Sequence, residues 1–450
     1  MKVTCYLKKV LERMRIRREH QIICIQGDQV RDWQLVSPGW ALFPYGADLR
    51  PVSFDKGPEV HRFLWPTREL LWRRRELSGD HRELGRTWWE WNRFLTHRFR
   101  TPFSIAFAFV ATHNHFILDS GGKAFKNSSP LIVLPSNATE EDHLALLGLL
   151  NSSTACFWMK QICFNKGAGG GTRVQSGRSP LGDEAWESHF EFAGTQLQSF
   201  PIAAEKPLDL TTTLDHLAQE WQTHLPEQLA AHFPLSRAAL AAHKDQATTL
   251  LRRIIALQEE LDWRCYTLYG VTDQNLCYRD ASGNQLDPPV IALGQRAFEI
   301  VMARQMAAGE LETTWFERHR SMPITELPGH WPDDYRRLVE RRMALIESNQ
   351  YINLIERPEY KRRWNTEPWE EQEKRALRSW LLDRLEDERY WPEAQLQTTR
   401  TLADRTQFDA AWMQVAELYR GYAGFDVPPV PCALSFKAFH FLERSCTGKQ

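Results

Sequence analysis

The segment Ser236–Tyr269, with the sequence SRAALAAHKDQATTLLRRIIALQEELDWRCYTLY, decides the fold of the second half of the chain. From Leu250 to Leu268, leucine and isoleucine recur at a spacing of three to four residues, which places them on one face of a helix. Gly270 follows directly, and glycine commonly ends a helix. The segment therefore predicts one long amphipathic helix.

Helical patterns continue on both sides of this segment. Leu208–Phe233, which precedes it, is also amphipathic. After it, prolines separate further helical stretches, and several stand where a helix would begin, a position that tolerates proline. The predicted helices on this side are roughly Gln295–Ala308, Asp333–Glu356, Trp369–Glu386 and Gln407–Tyr422.

Residues 21–205 show a different pattern, in which Gly, Pro, Asn and Asp separate short apolar or alternating runs. Such runs indicate strands joined by turns. The predicted strands are Ile22–Ile25, Ala41–Tyr45, Phe103–Ala111, His115–Leu118, Leu131–Leu134 and Phe190–Phe192. A helix interrupts them after Thr139, which can cap its first turn. The predicted fold class is α+β, a mixed β-rich domain followed by α-helical domains, without a Rossmann-like domain.

The composition is typical of a globular protein, with 42% hydrophobic and 25% charged residues. No apolar run approaches the roughly 20 residues that cross a bilayer, and the N-terminus is too charged for a secretory signal. We therefore expect a cytoplasmic protein. The eight cysteines form no C-x-x-C pair, so we expect buried thiols rather than a disulfide framework or a structural metal.

The net charge of −1 is unevenly distributed along the chain. The first 100 residues hold 20 Lys and Arg against 12 Asp and Glu, and the residues after position 200 hold 30 against 37. A basic front part suits an anionic partner such as nucleic acid. A GC-rich genome that favours arginine codons is an alternative explanation and stays open.

Ten basic residues are candidates for contacts with DNA. Some lie among tryptophans and others lie in or beside glycine-rich loops, so they could neutralise phosphates while aromatic rings stack or loops enter a groove. The candidates are Arg68, Arg73, Arg74, Arg75, Arg86, Lys123, Lys126, Lys166, Arg173 and Arg178. The alternative is that these charges are merely solvated. For the neighbouring tryptophans (Trp65, Trp72, Trp88, Trp89 and Trp91), packing in a core is the favoured interpretation.

Motifs for catalysis are missing from the sequence. Transfer of a methyl group to an amine needs a glycine-rich turn and an Asn/Asp-Pro-Pro-aromatic tetrad, and Asp287-Pro-Pro-Val290 lacks the aromatic residue, so it is predicted to be a plain loop. The loop Gly167–Thr172 lacks the lysine of a P-loop. His113 and His115 have no identifiable further metal ligands and are interpreted as strand histidines. The acidic runs Glu259-Glu260-Leu-Asp262 and Glu370-Glu371 are interpreted as solvated helix faces.

Ten short motifs follow one another in a fixed order between about Gln21 and about Pro429. They are Gly27–Trp33, Ala41–Tyr45, Phe63–Pro66, Leu70–Arg75, Phe109–His115, Leu146–Ser153, Cys163–Gly167, Phe190–Gly194, Leu257–Trp263 and Lys361–Glu371. Any one motif is weak, but ten in the same order are specific. In this order they resemble the PglX-type adenine-specific DNA methyltransferases of BREX phage-defence systems.

The resemblance implies a role in DNA recognition. Members of the family methylate adenine N6 in a short non-palindromic site with S-adenosylmethionine; their front half carries the methyltransferase domain, and their rear half carries a target recognition domain and helical spacers. This chain resembles the rear half. We therefore expect it to bind duplex DNA and set site specificity without catalysis on its own, with no cofactor of its own and with S-adenosylmethionine required by the complete enzyme.

The same resemblance suggests domains, partners and alternatives. The predicted divisions are residues 1–20 as a remnant of a preceding linker, 21–205 as the target recognition domain, 206–275 as a helical spacer, 276–430 as a C-terminal helical domain and 431–450 as a disordered tail. Expected partners are double-stranded DNA, a separate methyltransferase half and other BREX proteins, and not a membrane. One chain of a split methyltransferase, or a non-enzymatic interaction protein of the defence complex, are the open alternatives.

Overall fold

Short strands dominate the first part of the chain and helices the rest, which confirms the predicted α+β class. The computed structural model describes residues 8–76, 79–92, 94–168, 184–364, 367–391 and 397–423. The strands are β1 (Gln21–Ile25), β2 (Val30–Arg31), β3 (Gln34–Leu35), β4 (Gly39–Leu42), β5 (Arg75–Glu76), β6 (Gly79–Asp80), β7 (Ser104–Phe107), β8 (Val110–Ala111), β9 (Phe116–Asp119), β10 (Lys123–Phe125), β11 (Leu131–Ile132), β12 (Phe164–Ala168) and β13 (Ser188–Glu191).

The helices that accompany and follow these strands differ widely in length. They are α1 (Lys8–Arg13), α2 (Pro58–Leu64), α3 (Arg68–Trp72), α4 (Glu140–Leu150), α5 (Ser153–Ile162), α6 (Gly194–Leu197), α7 (Leu208–Thr223), α8 (Pro226–Leu229), α9 (Arg237–Leu268), α10 (Ala297–Ala307), α11 (Trp315–Arg318), α12 (Asp333–Ser348), α13 (Gln350–Ile355), α14 (Trp369–Leu385), α15 (Thr399–Thr406) and α16 (Ala410–Ala423). Among the described residues, no helix is both long enough and apolar enough to pass through a membrane.

The strands form three small sheets of three strands each and two short hairpins among the described residues. In the sheet β10-β1-β4, the central strand β1 pairs parallel with β10 and antiparallel with β4. The sheets β11-β7-β9 and β12-β13-β8 are antiparallel. The predicted strand Phe103–Ala111 is divided between two of these sheets, as β7 and β8.

Local sequence patterns predicted several helix ends correctly. Helix α9 begins and ends within one residue of the predicted bounds, and Gly270 follows it with a φ of +66°. Thr139 caps α4, and its hydroxyl accepts from the backbone N–H of Asp142 at 3.2 Å. The predicted helix Asp333–Glu356 is instead two helices, because the Asn349 side chain caps a new first turn and accepts from the backbone N–H of Tyr351 at 2.9 Å.

Contacts group the described residues into two compact units. One unit draws on the ranges 1–218 and 252–365, and the other on the ranges 219–251 and 366–450. The second unit has a core of helix faces that includes Leu240, Leu381 and Trp412. The four boundaries predicted from the sequence stay a prediction, because spatial grouping does not test functional modules. Residues 431–450 lie outside the described residues.

The acidic run of α9 is buried, so its interpretation as a solvated face was wrong. Glu259, Glu260 and Asp262 are 2%, 0% and 0% exposed. Lys361 Nζ lies 3.1 Å from Glu259 Oε1 and 2.9 Å from Asp262 Oδ2, and Arg342 donates to Glu260 at 2.6 Å. Buried charges need partners of this kind. The other acidic pair behaves as predicted, since Glu370 is exposed, where it pairs with Lys244.

A second arginine joins this buried network to the β-rich part of the same unit. Arg362 donates to Asn151 Oδ1 at 2.9 Å and to the Asn114 carbonyl at 3.2 Å. The Asn151 side chain also exchanges two hydrogen bonds, of 3.0 and 3.2 Å, with the backbone of Phe116 at the start of β9. Three of the motifs that carry the family resemblance, namely Phe109–His115, Leu146–Ser153 and Lys361–Glu371, therefore contribute residues to the interior of this unit.

Several smaller predictions concern single groups. His113 and His115 lie in the link between β8 and β9, so their interpretation as strand histidines was wrong. Both are buried, and burial lowers the pKa of each well below its usual range. Asp287-Pro-Pro-Val290 is a loop, as predicted. The five described cysteines (Cys24, Cys156, Cys163, Cys265 and Cys277) are buried and form no disulfide, and Cys5, Cys432 and Cys446 lie outside the described residues.

Candidate nucleic-acid interface

A cleft of about 640 Å³ lies beside the sheet β10-β1-β4. Cys24 and Gln26, at the end of β1, and the consecutive residues Lys123 to Lys126 line one side of it. The other side is lined by Trp91, Asn92, Phe94, Leu95, Arg98 and Phe99. Because side chains alternate along a strand, four consecutive lining residues place the cleft along the edge of β10 as well as over one face.

The edge strand β10 is held in place by pairing with β1 and by a hydrogen bond just beyond its end. It pairs in parallel with β1, with Lys123 opposite Ile23, and the backbone N–H of Lys126 donates to the Ile25 carbonyl at 2.9 Å. Beyond it, the Ser128 hydroxyl accepts from the backbone N–H of Gly27 at 3.1 Å. A Cβ on Gly27 would lie 2.0 Å from the Ser128 carbonyl oxygen, so this close approach requires glycine.

Aromatic rings form the opposite wall of the cleft. The rings of Phe94 and Tyr45 are stacked, with centroids 3.8 Å apart, and Phe99 packs against Phe94 at 4.9 Å. The Trp91 indole N–H donates to the Leu42 carbonyl at 3.1 Å, and its backbone N–H donates to the Tyr45 hydroxyl at 2.7 Å. Burial raises the pKa of Tyr45, so this hydroxyl stays neutral. The wall is thus held by ring packing and by two hydrogen bonds to β4 and its extension.

The cleft carries an excess of positive charge. Of its described lining residues, Arg98, Lys123 and Lys126 are cationic and Asp119 is acidic. Lys123 Nζ forms an ion pair with Asp119 at 2.6 Å. Lys126 donates instead to the neutral Gln26 side chain at 3.1 Å, and Arg98 is exposed. Two of the three cations therefore keep a net charge that a phosphate could neutralise.

A second basic surface surrounds α3 and is called here the arginine patch, defined by Arg68, Arg73, Arg75 and Arg82. Arg73, Arg75 and Arg82 are exposed, and the Arg68 guanidinium lies 4.1 Å from the centre of the Trp65 ring. Trp65 itself is 50% exposed. Stacked arginine and exposed tryptophan are side chains that can contact phosphates and bases.

Comparison with known proteins adds to this geometry. Residues 254–434 match a family described as a domain of unknown function, DUF7008. Over 407 residues, which is 88% of the chain, the sequence is 42% identical to the adenine-specific methyltransferase PglX of Streptomyces coelicolor. The chain is therefore similar to PglX over most of its own length. It spans 33% of the length of that protein, a share that is consistent with the predicted match to a C-terminal part.

The similarity to PglX confirms the predicted resemblance, and most residues of the buried network lie within the DUF7008 match. The DUF7008 match includes Glu259, Asp262, Lys361 and Arg362, whereas their partner Asn151 precedes it. The motifs on which the predicted resemblance rests thus comprise interior positions as well as surface ones. Within the described residues, no group of three or more His, Cys, Asp and Glu could hold a metal ion.

The structure brings two of the predicted contact residues, Lys123 and Lys126, together in the cleft. Lys166 lies on β12, where it pairs with Glu191 at 2.6 Å and lies 5.0 Å from the centre of the Phe164 ring. Arg173 and Arg178 lie outside the described residues.

The predicted arginines near the tryptophans have unequal roles. Arg68, Arg73 and Arg75 belong to the arginine patch. Arg74 donates to the carbonyls of Leu71 at 2.8 Å and Trp88 at 2.7 Å, so it ties two chain segments together. Arg86 is half-buried. Packing in a core is confirmed for Trp88 and was wrong for Trp65.

Sequence reasoning missed the cleft wall as a site. Phe94, Arg98 and Phe99 were not among the candidates, although the run Trp91–Arg100, WNRFLTHRFR, mixes aromatic and basic residues in the same way as the segments that were. That mixture was the available signal. The position of this run opposite β10 depends on long-range packing, so the residues of the run do not predict it.

Proposed function

We propose that this chain recognises duplex DNA on behalf of an adenine-specific methyltransferase and sets the site that is modified. The observation that carries the proposal is the cleft between an open sheet edge and an aromatic wall, which Lys126 lines from one side and Arg98 from the other. The 42% identity to an adenine-specific methyltransferase supports DNA as the anionic partner.

In this proposal, different residues contact the phosphates and the bases. Arg98, Lys126 and the arginine patch bind phosphates, which supplies affinity and fixes the orientation of the duplex. Polar groups along β10 and the loop that follows it contact base edges, which supplies specificity. Lys123 is held by Asp119 and by the Gly121 carbonyl, so it fixes the turn before β10 more than it adds charge.

Methyl transfer itself is assigned to residues outside this chain. The sequence has no Asn/Asp-Pro-Pro-aromatic tetrad, and Asp287-Pro-Pro-Val290, which comes nearest, ends in valine in a loop. S-adenosylmethionine is therefore proposed to bind to a methyltransferase half, either in a longer chain or in a separate subunit. Other BREX proteins are proposed as further partners, and the cytoplasm as the location.

Binding of a labelled mixed-sequence duplex, followed by fluorescence anisotropy, tests the proposal. The charge-reversal variant Arg98→Glu/Lys126→Glu is expected to lose roughly tenfold or more in affinity, because two phosphate contacts become repulsive. The matched control is Lys206→Glu, an exposed lysine that is not among the described lining residues of the cleft, which should bind as the wild type does. Wild-type protein that binds no duplex at low salt would contradict the proposal.

A further inference from the structure

We propose that the cleft holds one unpaired nucleotide of the bound DNA, with its base between β10 and the aromatic wall and its phosphate at Arg98 and Lys126. This inference rests on the proposed function and deepens it, because it names the form of DNA that the cleft takes. Three independent features of the cleft support it.

The first feature is the open hydrogen-bonding edge of β10. This strand is the last in the sheet β10-β1-β4. The Lys126 N–H points to β1, and the direction of backbone groups alternates along a strand, so the N–H and C=O of Phe125 point away from β1. Backbone groups at such an edge can form hydrogen bonds with another molecule. The Watson–Crick edge of a base offers matching donors and acceptors only when the base has left its pair.

The second feature is the rigid aromatic wall. Trp91 and Phe99 pack on the same face of the sheet as Cys24 and Ala124, and Phe94 is stacked on Tyr45. All three rings of the wall are partly exposed and line the cleft. A base inside a duplex is already stacked on its neighbours, so an aromatic wall in a recess is of use to a base that has left the stack.

The third feature is that the cleft matches a single nucleotide in size and in charge. A volume of about 640 Å³ is within the range of pockets that enclose small organic ligands, and a groove that merely follows a duplex backbone needs no such recess. Arg98 is exposed and Lys126 has a neutral partner, so an anionic phosphate would complement both. One nucleotide combines the flat aromatic group and the anion that this arrangement fits.

The test compares a fully paired duplex with the same duplex that carries a single unpaired adenine. Wild-type protein is expected to bind the bulged duplex about tenfold more tightly, because stacking on an aromatic side chain is gained in the cleft. Phe99→Ala should abolish this preference and leave affinity for the paired duplex within about twofold, since no charge is lost. The control Phe164→Ala, which removes an aromatic ring that is 66% exposed on β12, should keep the preference.

The outcomes separate the two proposals. If the wild type binds both duplexes equally, the cleft does not hold an unpaired base, although the proposed function survives. If it binds neither duplex, the proposed function itself fails. If Phe99→Ala weakens both duplexes equally, the ring has only a structural role and the inference is overturned.

Photo-crosslinking provides a second measurement that does not depend on a folded variant. A duplex with 5-iododeoxyuridine at the unpaired position is irradiated with wild-type protein, and the crosslinked peptide is identified by mass spectrometry. The expected crosslink lies within Trp91–Phe99. A crosslink at the arginine patch, or at no position in the cleft, would overturn the inference.

Discussion

Replacement of Lys361 by methionine is expected to destabilise the protein strongly. Lys361 Nζ lies 3.1 Å from Glu259, 2.9 Å from Asp262 and 2.9 Å from Glu356, and all four side chains are buried. Although burial alone would lower it, these carboxylates raise the pKa of Lys361, so it is charged in the folded state. Methionine preserves most of the volume and removes the charge, which leaves three buried carboxylates without their shared cation.

The magnitude follows from this arrangement. Loss of one partner from a buried ion pair costs about 3–5 kcal/mol, because the remaining charge is not compensated. Glu259 can lessen the cost by taking up a proton, since burial already raises its pKa to about 7. The destabilisation should therefore be about 5 kcal/mol at alkaline pH and about 3 kcal/mol at mildly acidic pH.

Urea unfolding followed by circular dichroism at two pH values measures this effect. The control is Lys206→Met, at an exposed lysine, which should change the free energy of unfolding by less than about 0.5 kcal/mol. The double variant Glu259→Gln/Lys361→Met should be more stable than Lys361→Met alone, because one uncompensated charge is removed. A loss of less than about 1 kcal/mol in Lys361→Met, or no recovery in the double variant, would refute the charge-based explanation.

Three further predictions concern the same unit. Because the folded state holds the proton of Glu259 up to a pKa of about 7, against 4.5 ordinarily, the free energy of unfolding should fall as pH rises between these values, and Glu259→Gln should flatten that slope in melts across the range. Asn151→Ala should cost about 2–4 kcal/mol in urea unfolding, since Arg362 and a strand backbone lose their partner, and a loss below about 1 kcal/mol would contradict this. Gly27→Ala should weaken duplex binding in anisotropy assays because its Cβ displaces Ser128, and unchanged affinity would show that the loop after β10 is not needed.

The sequence predicted those features that depend on local signals. The apolar spacing of α9, the glycine that follows it and the Thr139 cap of α4 all act within a few residues, so helix positions could be predicted. The break between α12 and α13 was missed, because capping by Asn349 competes with a helical pattern that continues through it.

The buried network could not be predicted for a different reason. An acidic run on a helix is usually solvated, and only a cation 102 residues away, Lys361, makes burial of Glu259 favourable. The same limit applies to the cleft. Lys123 and Lys126 were recognised as basic loop residues, but the ring of Phe99 reaches them only through packing of the chain onto β1 and β10.

The dependence of duplex binding on salt tests the central claim most directly. The logarithm of the affinity is measured against the logarithm of salt concentration for wild-type protein and for Arg98→Ala/Lys126→Ala. The wild type should show a steep negative slope, and the double variant should show a slope shallower by roughly 1.8, which corresponds to two lost phosphate contacts. Equal slopes for the two proteins, or a wild-type affinity that does not change with salt, would contradict DNA binding by the cleft.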